Sequence, residues 1–323
     1  MLVRTLALGG AAVALILGLS FPWMKVPIII GFCYGLAALG VTVLMRAGQI
    51  SFGHAMYACI AGYTVAFAAR AFPGVDGVLL VLIGVLASVI VAAPVGLFVV
   101  RYREIFFGML NLALSMVLYS VLGKFYDITG GTDGLRIERT PLFGMAFDRA
   151  GYETALLVLA VIASLGLGWL VQRFFGSSAG EALAGIKTNE TRLEYLGMSA
   201  RRILWNGYMI SAALVGLSGA LFALLQGLVT PELGYWVRSG EFVFIAILGG
   251  ATHALGAFLG AAVFQVIQLI GAAFFAGIWK LLLGVTLIVV ILAAPSGITG
   301  LLPLARRSKS KADTPLQPAP EKG

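Results

Sequence analysis

Apolar residues run through this chain in long blocks divided by short polar breaks. The blocks 6–22, 26–45, 51–70, 77–100, 104–122, 151–172, 203–226, 239–252, 254–275 and 279–302 predict about ten membrane helices, since roughly 20 apolar residues cover the hydrocarbon core. The eighth block is interrupted by Gly249, Gly250 and Thr252 and reads as a broken or re-entrant helix. An outer-membrane barrel would instead alternate over segments of about ten residues, and the chain has no such alternation. Two polar breaks are longer than the rest. Residues 123–153, rich in Gly, Thr, Pro and Asp, read as a loop, whereas 173–202, RFFGSSAGEALAGIKTNETRLEYLGMSARR, carries helix-forming residues.

Composition supports the same class. Only 11% of the 323 residues are charged and 60% are hydrophobic, against about 25% charged in soluble domains. The fold expected is all-α and polytopic. The 42 glycines fit close helix contacts in lipid, where small residues let backbones approach. Cys33 and Cys59 fall inside predicted spans and show neither metal-ligand spacing nor a disulfide framework. The block 6–22 has a basic residue ahead of it, but no small-residue cleavage site precedes Lys25, so it reads as a helix rather than a signal peptide.

Charge orients the helices. With both termini inside, fourteen of the 22 Lys and Arg residues fall on the inner side and eight on the outer, as the positive-inside rule requires. Segment 173–202 then faces the cytoplasm and loop 123–153 the outside. The net charge of +8 calls for no nucleic-acid partner, because the tail 305–323 concentrates basic residues where they fix topology and touch anionic lipid. Residues 1–304 form the membrane domain. Arg46-Ala-Gly-Gln49 and Arg238-Ser-Gly-Glu241 echo one another before the third and eighth spans, on opposite sides. Spans 2–5 and 7–10 would then form an inverted repeat, a common transporter plan.

Within the cytoplasmic segment, Ser178 and Glu181 have capping-box spacing. Ala182, Gly185 and Ile186 continue a helix that Thr188-Asn189 breaks, and a second turn from Glu190 through Arg192 to Leu196 stops at Gly197. The knob so formed reads either as a docking element or as an amphipathic surface helix. Gln49, Ser51 and His54 place hydrogen-bonding groups at a membrane boundary. They line a path as part of a discontinuous helix, or they are satisfied internally in a tight helix contact. Gln226 ends the seventh span as a pore-facing or surface amide. Glu241, an outer-gate candidate, is expected to pair with Arg238, and Glu104 with Arg101 or Arg103. Gly130, Gly131, Thr132, Asp133 and Gly134 predict tight turns in the outer loop, or a contact with an external protein.

Four stretches in order, Ala47–His54, Gly130–Leu135, Gly180–Arg202 and Ser211–Leu221, resemble the LivM-type permeases of ATP-binding-cassette importers for branched-chain amino acids. The likeness runs from about residue 30 to 302. It implies that 173–202 is the coupling loop, with Glu181, Ala182 and Gly185 where such permeases carry Glu-Ala-Ala and Gly. Leu183 stands where the second Ala is typical. It implies a second homologous permease, two cytoplasmic ATPase subunits, an external solute-binding protein, and the inner membrane as location. The chain has no GxxxxGK[ST] loop, so ATP and Mg would sit on the partners, and no catalytic residue, cofactor or metal is expected here. Gly185→Glu is expected to abolish uptake while leaving the fold intact. Two alternatives stay open: an ion-coupled secondary transporter, and the same importer type carrying urea or short amides.

Overall fold

The computed structural model describes residues 2–274, 281, 284–286, 288, 289, 292 and 297–301. Half of the predicted span 279–302 falls outside them, and the basic tail wholly so. Helices α1 (Leu2–Ser20), α2 (Lys25–Arg46), α3 (Ala55–Ala71), α4 (Gly77–Val99), α5 (Glu104–Lys124), the short α6 (Tyr126–Thr129), α7 (Arg149–Phe175), α8 (Ser178–Tyr195), α9 (Ala200–Gln226), α10 (Trp236–Gly249) and α11 (Ala254–Phe274) follow in order. Among the described residues, six helices are long and apolar enough to cross a membrane: Pro22–Arg46, α4, α5, α7, α9 and Ala254–Gly271 of α11. They coincide with six of the predicted blocks.

The other blocks differ for local reasons. The block 51–70 becomes helical only at Ala55, because residues 49–54 are extended or turn. The block 239–252 contributes α10, whose 14 residues span about 21 Å at 1.5 Å each. That is short of a hydrocarbon core. Gly250, at φ 90°, ends it in a backbone conformation that glycine adopts without strain.

Helices α2 and α9 form the centre. Ser218 donates to the Cys33 carbonyl at 2.6 Å, and Gly40 abuts the Ser211 carbonyl, where an added Cβ would stand at 2.8 Å. Small residues at this seam replace the hydrophobic force that lipid withholds from helix association. Helices α3 and α4 pack on α9 and on each other, as α10 and α11 pack on α2 and on each other. A Cβ at Gly219 would overlap the Ala58 carbonyl, so the Ser211–Leu221 stretch is the small-residue face that admits α3.

At one end, Leu135–Arg136 and Leu228–Val229 pair as antiparallel strands and pin the 123–153 loop to the α9–α10 connection. Gly130, at φ 71°, turns the chain. The Thr129 hydroxyl accepts from Gly131 N at 3.3 Å, and the Tyr126 hydroxyl donates to Asp133 at 2.8 Å, which raises the phenol above its ordinary pKa. The expected tight turns are present, with Thr129 rather than Thr132 as the capping hydroxyl. Helix α8 projects at the opposite end.

Candidate functional site

The polar segment is an ordered helical hairpin. Ser177, at φ −87° and ψ 162°, caps α8 by accepting from Gly180 N at 3.3 Å. The cap is therefore Ser177, and Ser178 is the first helical residue, so the helix starts one position earlier than the spacing predicted. Asn189 leaves the helix at φ −161° and ψ 97°, and its side chain accepts from Arg192 N at 2.9 Å. It breaks the first helix and caps the second, as the Thr188-Asn189 break predicted. Gly197, at φ 78°, closes the hairpin, and Met198 N returns to the Leu193 carbonyl at 3.1 Å.

Burial divides the predicted residues. Ala182 and Ile186 are buried, as is Leu193 from outside the predicted set, Gly185 and Glu190 are half-buried, and Ser178, Glu181, Arg192, Leu196 and Gly197 are exposed. Leu183 is fully buried, and its methyls fill the space over Gly207 beside Val43. This explains leucine where a second alanine is typical: the larger side chain anchors α8 to α9 and α2. Gly185 is turned inward, so that an added Cβ would lie 3.2 Å from both Leu193 methyls. Its smallness serves the hairpin's own closure, so a larger side chain at Gly185 must displace Leu193.

Two ion pairs tie the hairpin to the bundle. Arg103, between α4 and α5, makes a fork to Glu190, Nε to Oε2 at 2.9 Å and Nη2 to Oε1 at 2.6 Å. Arg103 therefore pairs with Glu190 and not with Glu104, because the hairpin brings a carboxylate within reach of its fork. Arg46, ending α2, reaches Glu181 at 3.6 Å and lies 4.4 Å over the Phe175 ring. Burial and the nearby Arg46 charge hold His253 below the ordinary imidazole pKa. Beyond these ties the hairpin tip is bare and apolar, with Tyr195 87% and Leu196 67% exposed and Met198 beside them. Tyr195 and Met198 escaped the sequence reading because two hydrophobes in a polar segment look like its buried face.

Gln49, Ser51 and His54 do converge. The Gln49 carbonyl oxygen accepts from Glu104 N at 2.8 Å, holding Glu104 at φ 53°, and Gly53 lies against Asn111. Residues 49–53 thus run beside the first two turns of α5, about 10 Å at 1.5 Å per residue, before α3 begins inside the bundle. The α3 amide at Ala55 is capped by the Ser239 hydroxyl of α10 at 2.9 Å. Ser51 bonds His54 Nδ1 at 2.5 Å. His54 sits edge-on to Tyr57 and Tyr208, which share a hydroxyl bond of 2.8 Å, and Tyr208 donates to Asn111 at 2.6 Å. Tyr57, Asn111 and Tyr208 were not legible as partners, because each lies in a different apolar block.

Arg238 and Glu241 pair at 2.9 Å, as expected. Gln226 is exposed at the last turn of α9, apart from this buried set. The two four-residue echoes differ locally: Gly48 has φ 73° in a turn, whereas Arg238–Glu241 lie within α10.

An anchor has no use for a polar strap threaded between membrane-crossing helices, whereas a solute permease does. The chain belongs to the family described as branched-chain amino acid transport system / permease component, whose model matches residues 27–291. It is a multi-pass membrane protein of that family. Among its relatives is the high-affinity branched-chain amino acid transport system permease protein LivM of Escherichia coli, 27% identical over 296 residues, covering 84% of this chain and 68% of the relative. LivH of the same organism is 25% identical over 289 residues, covering 84% and 92%. BraD of Pseudomonas aeruginosa is 25% identical over 288 residues with the same coverage. No solved structure matches the chain.

Proposed function

We propose that this chain is a permease subunit of an ATP-binding-cassette importer in the inner membrane, carrying branched-chain or other hydrophobic amino acids. The observation that carries the reading is the ordered hairpin 178–197, bound to α2 by Arg46–Glu181 and to the α4–α5 turn by Arg103–Glu190. A surface helix held by lipid has no need of such ties. A lever does: force applied to the tip passes through two charged links to two different helix ends.

In this reading the bare tip Tyr195-Leu196 docks on a cytoplasmic ATPase subunit, which binds the ATP and Mg; this chain binds neither. Closure of the ATPase pair moves α8, which drags Arg46 with α2 and Arg103 with α5. The strap 49–54 lies between those helices, so it moves with them and alternates access to the path. A second homologous permease completes the channel, and an external binding protein delivers the solute, with the Gly130–Gly134 turns on its side of the membrane.

About ten spans with an inverted repeat are part of this reading, and the packing of α2–α4 and α9–α11 agrees with a repeat. Exchanging α2 with α9, α3 with α10 and α4 with α11 returns the same set of helix contacts. Both termini and the hairpin are then cytoplasmic, in keeping with the charge distribution.

Reconstitution tests the proposal. With both permeases, both ATPases and the binding protein in proteoliposomes, leucine uptake should require ATP and survive an ionophore. Uptake by this chain alone would refute it and favour an ion-coupled carrier.

A further inference from the structure

Four ion pairs occur among the described residues, and three of them join helix ends to a neighbouring segment or lie in a first turn: Arg46–Glu181, Arg103–Glu190 and Arg149–Glu153. The fourth, Arg238–Glu241, is placed differently. Arg238 donates to the Tyr34 hydroxyl, and its guanidinium lies 5.7 Å from the Tyr34 ring and 5.9 Å from the Phe222 ring. Tyr34 is nine residues from the start of α2, about 13 Å along its axis, and Phe222 lies one turn inside the end of α9. The pair therefore sits within the membrane-crossing part of the bundle.

Ionisable groups at such depth face the bundle interior or a water-filled cavity rather than lipid. This pair is not sealed: the Arg238 and Glu241 side chains keep 26% and 16% of their exposure. Beside the half-exposed Arg238 and Gly240, the half-exposed residues Val237, Glu241, Phe244 and Ile247 of α10 follow the spacing of one helix face. That face offers one positive and one negative group at its outer end and an apolar strip beside them.

We propose that Arg238 and Glu241 form a transient subsite on the translocation path for zwitterionic amino acids, resting on the importer reading above. A passing solute opens the pair. Its α-carboxylate takes Arg238, its α-ammonium takes Glu241, and its apolar side chain lies along Phe244 and Ile247. Tyr34 holds the guanidinium in place during the exchange. When the solute leaves, the two side chains re-pair, so neither charge is left unpaired in a partly desolvated place, which is the costly state. Urea or an amide carries no charge and cannot replace either partner. The selectivity follows from pairing rather than from shape.

The test uses the complete importer in proteoliposomes, [14C]leucine as probe, and copurification of the partner subunits as the measure of assembly. Arg238→Gln and Glu241→Gln should each lower the maximal leucine uptake rate at least tenfold while the partners still copurify. KM should stay within twofold, since the binding protein sets it. The doubly swapped Arg238→Glu, Glu241→Arg chain should assemble yet remain at least tenfold slow, because Tyr34 no longer holds a guanidinium.

Uptake within twofold of wild type in both single variants would overturn the inference. Loss of assembly in both, with full uptake restored by the swap, would make the pair purely structural and overturn it equally. Wild-type transport of urea or acetamide but not leucine would overturn it while leaving the importer intact. ATP-independent uptake by the chain alone would remove the importer reading itself.

Discussion

Replacing Gly185 tests whether the hairpin closes on itself. A Cβ there would stand 3.2 Å from both Leu193 methyls and 3.4 Å from Leu193 Cγ, so alanine requires Leu193 to yield by a few tenths of an ångström. The helix-propensity gain of Ala over Gly, about 1 kcal/mol, offsets that crowding, and Gly185→Ala should be close to neutral. Glu brings two methylenes and a carboxylate against a nearly buried leucine, and overpacking of this kind costs about 1–3 kcal/mol. Leu193→Ala alone opens a cavity at a cost of about 2–5 kcal/mol.

The two changes meet at one contact, so the double variant should be less destabilised than the sum by at least about 1 kcal/mol, within the coupling expected of touching residues. Hydrogen exchange on the detergent-purified permease reads this directly, since about 1.4 kcal/mol is tenfold in local opening. Amides 182–193 should lose protection in Gly185→Glu and regain part of it when Leu193→Ala is added. Native protection in Gly185→Glu, or strictly additive losses, would refute the inward packing and return Gly185 to a partner-facing role. Uptake alone does not decide, because either role predicts its loss.

Further outcomes follow from the same geometry. Arg103 and Glu190 keep 26% and 35% of their side-chain exposure, so solvent screens the pair to about 1 kcal/mol or less. Arg103→Ala and Glu190→Ala should leave Tm nearly unchanged yet each lower uptake per ATP hydrolysed several-fold, with the double variant no worse; additive losses would mean that the two act separately. Tyr195→Asp and Leu196→Asp remove no buried packing, so expression and Tm should hold while the ATPase subunits no longer copurify. Retained copurification would move the docking surface elsewhere. Gln49→Leu removes the bond to the Glu104 amide, at a cost of about 0.5–1.5 kcal/mol, and should lower Tm slightly and loosen exchange protection at the start of α5; unchanged protection there would count against the strap's role in holding that turn.

The bundle was legible wherever one block of apolar residues makes one helix. Blocks 77–100 and 203–226, for instance, reappear as α4 and α9 within a few residues. Apolar content does not by itself impose a helix, and 51–70 illustrates this. Residues 49–54 stay out of α3 because Gln49, Ser51 and His54 bond within the strap and to α5 instead of extending a helix. The hairpin's break was readable because Asn189 carries its own capping oxygen and Gly197 its left-handed stop. Its cap slipped by one because Ser177 and Ser178 are adjacent and only the backbone direction distinguishes them. Gly185 packs against Leu193 of the same hairpin, a neighbour that spacing in the sequence does not name. The Tyr57–Tyr208–Asn111 cluster joins three helices far apart in sequence, and no local pattern marks it.

The central claim is that the hairpin tip is where ATP-driven motion enters the chain. A photo-crosslinking residue at position 195, in the complete importer reconstituted with its ATPase and permease partners, addresses it directly. The account predicts crosslinks to an ATPase subunit whose yield changes when ATP is added, and none to lipid. Crosslinks to lipid alone, or to nothing, would identify α8 as a surface helix and contradict it.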